Sequence, residues 1–340
     1  MSYNKIWIDY LRLCAVIAVI CIHVTGPIYQ QFGDIPSATW WMANILNAFS
    51  RFSVPAFVMI TGALLLGKPE NTIAFYKKRA AKIILPFLFW SLIYITYRTL
   101  NGENFINVTI SSIANGRAYG HLWFLTLYFW LALYIPFINK AILGLSFKPR
   151  DWQILCGLIV INASALWVSS LSQNLLEERI SIFMNFPFFF IYLLLGFFAS
   201  RNIKKIGISS IKLLIISVII AAFACFLNFL LCAYSQTCRD YIVLNNLSPL
   251  TIVLTASLFC AFCKLPDSWK QINIPSQVAQ CTFGIYLIHP LILRGLINRY
   301  DLFDSFSDLI AIPTQIFATF IISFAVIYVL RTTPLGRRLC

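Results

Sequence analysis

Ten apolar segments, most of them long enough to cross a lipid bilayer, constrain this chain more than any other feature. A membrane-spanning helix needs about 20 mostly apolar residues. The segments are 6–26, 40–67, 83–100, 119–139, 152–170, 185–200, 209–233, 247–263, 279–298 and 309–331. Since backbone polar groups find no water in lipid, such runs span membranes as helices. The sequence therefore predicts an all-α, polytopic integral membrane protein with about ten transmembrane helices.

The basic residues predict which side of the membrane each loop faces. With the N-terminus in the cytoplasm, 18 of the 26 lysines and arginines fall in inside segments, 6 in outside segments and 2 within the membrane. Cytoplasmic loops carry an excess of Lys and Arg, so this bias predicts cytoplasmic N- and C-termini. The basic residues behind the net charge of +14 then mark the topology and contact anionic lipid headgroups. Nucleic-acid binding has no other support in the sequence.

Composition and loop length predict a single transmembrane domain over residues 1–340. The chain is 60% hydrophobic and only 11% charged, whereas soluble domains are about 25% charged. The loops are short, so we expect no attached soluble domain, and the first helix carries Asp9 and Arg12, which argues against a cleaved signal peptide. The ten cysteines form no metal-binding pattern and are interpreted as small buried hydrophobes. Cys232 and Cys238 are a possible pair across an external turn.

The first helix carries two groups that lipid penalises, Arg12 and His23. They are 11 residues apart, so helical geometry puts both on one face, about 16 Å apart along the axis. The predicted topology puts Arg12 near the cytoplasmic surface and His23 near the outer surface. A structural alternative is that Arg12 snorkels to the interface beside Asp9, and that His23 is a hydrogen-bonded interfacial histidine.

Arg51 lies deeper, in RFSVPAFVMITG of the second predicted helix. A charge near the bilayer centre costs several kcal/mol unless it has partners or water. Of the 12 acidic residues, only Asp9 lies at a useful depth. Neutral groups such as Asn44, Asn47 or Thr61 are possible partners. The sharper hypothesis is that Arg51 binds an anionic ligand, since its guanidinium matches phosphate and carboxylate.

A cytoplasmic run, FYKKRAAK at residues 75–82, precedes the third predicted helix. Most of the basic residues in this run are explained by the excess of Lys and Arg on the cytoplasmic side of membrane proteins. Arg79 and Lys82, one helical turn apart, are nevertheless candidates to meet a phosphate at the inner mouth of the protein.

The three histidines, His23, His121 and His289, are all predicted near the outer half of the membrane. This distribution suggests proton chemistry on that side. A zinc site is the rival interpretation, although the spacing is unlike that of a local zinc motif. No nucleophile elbow, P-loop or dinucleotide motif is present. A histidine acting as base on a substrate hydroxyl is therefore the simplest chemistry, and no metal is assigned.

Five motifs in order resemble the acyltransferase 3 family of membrane O-acyltransferases. They are IDYLR with Arg12 and His23, RFSVPAFVMITG, FYKKRAAKIILPF, HLWFL at 121–125 and FGIYLIHP at 283–290. The chain departs from the family's usual pattern at Thr61, where serine is common, and at Lys82, where a second arginine is common. The WIDYLR and HLWFL forms are particularly similar to bacterial O-acetyltransferases of enterobacterial common antigen and related surface glycans.

The resemblance implies transfer of an acyl group, usually acetyl, from cytoplasmic acetyl-CoA to a hydroxyl of an envelope glycan or its lipid-linked precursor. It implies no permanently bound cofactor and a location in the bacterial inner membrane. His23 and Arg12 would be the essential pair, with His23 as base or as acyl carrier. Arg51, Arg79 and Lys82 would bind acyl-CoA or phosphate. Four further residues would orient the acceptor or support the site: His121, Trp123, His289 and Asp9. The alternative function is a transporter or flippase for a lipid-linked saccharide.

Overall fold

The computed structural model describes residues 6–146, 148–151, 153–158, 187–236, 238, 243–265, 276–303 and 305–340. We number twelve helices of these ranges in chain order; residues 149–151 and 153–158 are helical as well. The twelve are α1 (Ile6–Tyr29), α2 (Ser37–Ser50), α3 (Ser53–Leu65), α4 (Thr72–Leu100), α5 (Phe105–Ala114), α6 (Trp123–Ile142), α7 (Phe190–Asn202), α8 (Ser210–Ser235), α9 (Pro249–Cys263), α10 (Ser276–Ile292), α11 (Asp308–Leu330) and α12 (Gly336–Leu339). A π-helical segment, Leu293–Ile297, follows α10. The described residues contain no strand, and the all-α prediction is confirmed.

Seven helical stretches in the described ranges are long and apolar enough to cross a membrane. They are Ile6–Tyr29, Ser37–Leu65, Thr72–Leu100, Gly120–Ile142, Ser210–Ser235, Val278–Ile297 and Asp308–Leu330. Helix α9 is a shorter apolar helix of 15 residues. The predicted segment 152–170 lies outside the described residues except for 153–158. The protein is thus a multi-pass membrane protein, while the count of ten and the orientation stay predictions.

The second predicted segment is not one continuous helix. Helix α2 ends at Ser50, Arg51 is its C-cap, and α3 begins at Ser53. The cause is Pro55, which has no N–H to donate to the carbonyl of Arg51 four residues earlier and whose ring crowds that carbonyl. The sequence places a charged side chain at the point where the helix is interrupted.

Helix α4 begins well before the predicted segment 83–100. The Asn71 side chain caps it by accepting hydrogen bonds from the backbone N–H groups of Ile73 and Ala74. Asparagine is a favoured N-cap, and Lys, Arg and Ala are strong helix formers. The basic run 75–82 therefore lies inside the first turns of α4. The ten-residue helix α5 was not predicted, since it is too short to register as a span.

The chain divides into two compact units, which we describe separately. Unit 1 comprises Met1–Leu64, Ile191–Arg338 and Cys340. At its centre α1 packs against α2, α9, α10 and α11. Helices α3 and α7 approach closely through two glycines. A Cβ on Gly62 would overlap the carbonyl oxygen of Leu193, and a Cβ on Gly196 would overlap that of Met59. Small residues allow such contacts between membrane helices.

A chain of buried hydrogen bonds joins three helices of unit 1. Tyr29 Oη of α1 donates to Asn228 Oδ1 of α8 at 3.0 Å. Asn228 Nδ2 donates to Asn44 Oδ1 of α2 at 2.9 Å. Asn44 Nδ2 in turn donates to the Cys225 carbonyl at 3.1 Å. Each buried amide thereby has partners, as a low-dielectric interior requires.

Cys232 and Cys238 form a disulfide at the C-terminal end of α8. Both residues are buried in an apolar cluster with Tyr29 and Trp40. The remaining eight cysteines are free. Five of them are buried, as interpreted from the sequence, whereas Cys14 and Cys156 are exposed and Cys260 is intermediate.

Unit 2 comprises Leu65–Phe190 and Leu339. Helix α4 packs against α5 and α6. The carboxylate of Asp151 joins three separate parts of this unit: it accepts from Lys140 Nζ at the end of α6, from the backbone N–H of Lys148 at 2.8 Å and from Thr72 Oγ1 of α4 at 3.2 Å. These bonds hold the pKa of Asp151 below its usual range, chiefly through Lys140.

Candidate active site

Two histidines from distant parts of the chain meet inside unit 1. His23 lies on α1 and His289 on α10, and their ring centroids are 5.0 Å apart with the rings tilted by 50°. His289 is fully buried, and His23 is half-buried. Because α1 packs directly against α10, two groups capable of proton transfer share one location.

The local sequence HP fixes the orientation of His289. Pro290 has no N–H for the Tyr286 carbonyl, four residues earlier in α10. The Nδ1 atom of His289 lies 2.7 Å from that carbonyl oxygen. A carbonyl only accepts, so Nδ1 carries the proton and donates it. In the neutral ring, Nε2 then holds the lone pair and can act as an acceptor or base.

Arg51 is held by a hydrogen-bonded chain that leads back to α1. Its Nε donates to Asn47 Oδ1 at 2.8 Å, and its Nη2 donates to the same oxygen. Asn47 Nδ2 donates to Thr25 Oγ1 at 3.1 Å, and Thr25 Oγ1 donates to the Cys21 carbonyl at 2.8 Å. The guanidinium is therefore tied to the turn of α1 that carries His23.

Two positive charges lie near His23. The guanidinium groups of Arg51 and Arg294 are both close enough to act on its imidazole electrostatically. Arg51 is buried, with about 9% of its surface exposed, whereas Arg294 is exposed. Arg294 belongs to the π-helical segment after α10, and single π-turns are frequent at functional sites.

Arg12 lies on α1, 11 residues before His23. Its Nη1 donates to Asp9 Oδ1 at 3.3 Å, and both side chains are about one-third exposed. This contact is the pairing that the structural alternative for Arg12 requires. A partly exposed ion pair of this kind contributes about 1 kcal/mol or less to stability, so it does not by itself explain a charge in this helix.

The remaining sequence candidates lie in unit 2. Arg79 lies over the Phe75 ring, 5.4 Å from its centroid, and Lys82 is exposed one turn further along α4. His121 is buried next to the rings of Tyr94 and Tyr119. Trp123 begins α6, and its ring centroid lies 5.8 Å from that of Phe189.

Two site residues escaped the sequence analysis, and a third was named only as one of several options. Thr25 gave no signal because a hydroxyl in a membrane helix is common. Arg294 was counted among the outside basic residues that mark topology. Asn47 was one of three possible neutral partners for Arg51. The interruption of α2 by Pro55 was the available clue that Arg51 has a special environment.

This arrangement suits transfer of a group through a negatively charged intermediate. A neutral imidazole can remove a proton from a hydroxyl or attack a carbonyl carbon itself. Nearby guanidinium charge stabilises the oxyanion that either attack creates. Within the described residues, no group of three or more His, Cys, Asp or Glu side chains is placed to hold a metal ion.

A model of the acyltransferase 3 family, described as an acyltransferase domain, matches residues 5–332. The chain belongs to this family. The acyltransferase 3 match includes every residue of the site described above.

Relatives of this acyltransferase 3 chain carry varied names. It is 22% identical to a probable poly-beta-1,6-N-acetyl-D-glucosamine export protein of Staphylococcus aureus, over 89% of this chain and 87% of that one. It is 23% identical to the nodulation protein NolL of Sinorhizobium fredii, over 88% and 82%. A 25% identical amino-acid racemase of Enterococcus faecalis aligns over 86% of this chain but only 42% of its own. No solved structure matches.

Proposed function

We propose that the protein is an O-acetyltransferase of the bacterial inner membrane that moves an acetyl group from cytoplasmic acetyl-CoA to a hydroxyl of an envelope polysaccharide or its lipid-linked precursor. The observation that carries this proposal is the meeting of His23 and His289, with Arg51 and Arg294 near His23, in a chain of an acyltransferase family. The relative named after poly-N-acetylglucosamine supports a saccharide as the acceptor.

The reaction we propose uses His23 in one of two ways. As a base, His23 takes the proton of the acceptor hydroxyl while the oxygen attacks the thioester carbonyl carbon. The tetrahedral intermediate then expels the CoA thiolate, which receives the proton. As an acyl carrier, a His23 ring nitrogen attacks the thioester first, and the acetyl group passes to the hydroxyl in a second step. Either route yields an O-acetyl ester and free CoA.

The other candidate residues take supporting roles in this proposal. Arg12 lies on the His23 helix and carries positive charge towards the predicted cytoplasmic end, where the anionic donor arrives. Arg79 and Lys82 share one face of α4 and suit the donor's phosphates. His289 orients or assists His23. His121 and Trp123 are candidates for contact with the acceptor, and Asp9 orients Arg12.

Acetyl transfer in isolated membranes tests the proposal. Membranes containing the protein receive labelled acetyl-CoA and a candidate glycan, and ester-linked label is measured. We expect the variants His23→Ala and Arg12→Ala to lose transfer, the former by roughly 100-fold or more, as for a general base. The matched control is Arg98→Ala, which removes a basic residue paired with Glu103 at the surface. Full transfer by normally expressed His23→Ala would refute the assignment.

The two routes differ in whether the protein itself becomes labelled. Wild-type protein given labelled acetyl-CoA without acceptor should retain acid-quenched label if His23 carries the acetyl group, and His23→Ala should not. If His23 is a base, neither protein is labelled although wild type transfers acetyl when the glycan is added.

Transport of a lipid-linked saccharide is the second candidate function. It is favoured by the relative named as a probable export protein. Vesicles containing the purified protein and a labelled lipid-linked saccharide separate the two functions. Movement of the label across the vesicle without covalent acetyl transfer supports transport, whereas ester formation without movement supports the acetyltransferase.

A further inference from the structure

Asn47 lies between the buried guanidinium of Arg51 and helix α1, which carries His23. Its side-chain oxygen accepts two hydrogen bonds from the guanidinium of Arg51, at Nε and Nη2. Asn47 is fully buried, and Arg51 is nearly so. Both bonds converge on one acceptor atom, so they restrict the plane of the guanidinium as well as its position.

The orientation of the Asn47 amide is itself fixed from the other side. Its Nδ2 donates to Thr25 Oγ1 at 3.1 Å, and Thr25 is anchored to the Cys21 carbonyl of α1. The opposite amide orientation would turn an N–H donor towards the guanidinium, which has only donors. The residues Cys21 and Thr25 flank His23 on the same helix. Asn47 therefore fixes the height of Arg51 along α1 at the turn that carries His23.

The backbone alone does not fix the position of the Arg51 side chain. Arg51 lies at the interruption between α2 and α3, where Pro55 removes a helical hydrogen bond. An arginine side chain can adopt many rotamers, and a side chain at a helix break gains little restraint from the helix. The two bonds to Asn47 restrain the guanidinium.

The neutrality of Asn47 is equally important. An aspartate at this position would accept the same two bonds but would place a negative charge against the guanidinium. An amide oxygen orients Arg51 without neutralising its positive charge. His23 lies within the electrostatic reach of that charge.

We propose that Asn47 is a positioning residue that aims Arg51 at the carbonyl oxygen of the acyl group during transfer at His23. This inference rests on the proposed function. When a nucleophile attacks the thioester carbonyl carbon, the carbonyl electron pair moves to oxygen, and the oxyanion is stabilised by the fixed guanidinium. The pair returns to re-form the carbonyl as the CoA thiolate leaves. Arg51 thus acts on the reacting atoms, and Asn47 acts through Arg51.

A double-mutant cycle tests this proposal in membranes that contain the full protein. Asn47→Ala should lower kcat by roughly 10- to 100-fold, as expected for loss of orientation at a reacting centre, and should change the KM for acetyl-CoA less than twofold. Asn47→Asp should also lower kcat: its carboxylate can accept the two bonds from Arg51, but it partly neutralises the guanidinium and has no N–H to donate to Thr25. In an Arg51→Ala background, Asn47→Ala should cause no further loss, because Asn47 acts through Arg51.

The matched control is Asn44→Ala. Asn44 is equally buried on α2 and also loses inter-helical hydrogen bonds on truncation, but its partners are Asn228 and Cys225. We expect this variant to keep kcat within about twofold at equal amounts of folded protein. Equal losses in Asn44→Ala and Asn47→Ala, additive losses in the cycle, or a loss confined to KM would overturn the inference. Absence of transfer by the wild type would instead refute the proposed function.

Discussion

The His289 imidazole illustrates how a single residue's chemistry is set by its sequence neighbours. Pro290 leaves the Tyr286 carbonyl without its helical donor, and His289 Nδ1 donates a hydrogen bond to that carbonyl oxygen at 2.7 Å. The proton is thereby held on Nδ1, and in the neutral ring Nε2 carries the lone pair. The proline thus serves the histidine beside it as well as shaping the helix.

Replacing Pro290 tests whether it orients His289, because the variant should lose acetyl transfer without losing thermal stability. In Pro290→Ala the new backbone N–H competes for the Tyr286 carbonyl, so His289 loses its fixed tautomer. A proline inside a helix costs about 3 kcal/mol, so we expect the variant to fold at least as well as the wild type. We nevertheless expect acetyl transfer to fall by roughly tenfold. Thermal unfolding in detergent and the transfer assay measure the two effects.

Pro313→Ala is the control for Pro290→Ala, since Pro313 also lies inside a membrane helix, α11. It should leave transfer unchanged. Unchanged transfer in Pro290→Ala would show that the bond to the Tyr286 carbonyl has no role in activity.

The ends, breaks and close contacts of individual helices follow from single residues. Asn71 caps α4, the break between α2 and α3 follows from Pro55, and Gly62 and Gly196 permit the close approach of α3 to α7. In unit 2, a contact from a residue outside both helices joins the start of α4 to the end of α6. Asp151 supplies it by accepting bonds from Thr72 and Lys140.

The contact of Asp151 predicts a pH-dependent stability. Because its pKa is lower in the folded protein than in the unfolded chain, its contribution is fully present above the ordinary carboxyl pKa of about 4 and is lost as pH falls through the folded pKa. We expect Asp151→Asn to destabilise the protein at pH 7 by about 1–3 kcal/mol. The difference in unfolding temperature from the wild type should shrink on acidification.

Thermal unfolding of detergent-solubilised protein between pH 7 and pH 3 measures this effect. Asp34→Asn, a substitution at an exposed loop position, provides the control and should unfold like the wild type. A constant difference between Asp151→Asn and the wild type over the whole pH range would contradict the prediction.

At the scale of the whole molecule, the disulfide adds an independent argument on orientation. Disulfides persist in oxidising compartments and are rare in the cytosol. The Cys232–Cys238 bond therefore favours an external location for the C-terminal end of α8, which agrees with the predicted topology. Closing this short loop stabilises the folded state by about 2 kcal/mol in the chain-entropy model.

Thiol labelling in intact cells tests that location. Cells are treated with a membrane-impermeant reductant, then denatured and labelled with a maleimide of high mass. We expect two more labelled cysteines than in untreated cells, and no such gain in the double variant Cys232→Ser with Cys238→Ser. An equal number of labelled cysteines before and after reduction would place this end of α8 elsewhere or show that the bond is absent.

The sequence by itself determined that the protein is an all-α multi-pass membrane protein, the shared helix face of Arg12 and His23, and the resemblance to the acyltransferase family. These features depend on local hydropathy, on fixed helical geometry and on ordered motifs. Only the tertiary structure brought His289 beside His23, linked Asn47 to Thr25, and placed Arg294 near His23. Helical periodicity tells which residues share a face, but which faces meet depends on side-chain packing between helices distant in the chain. The active site we propose is formed by those meetings.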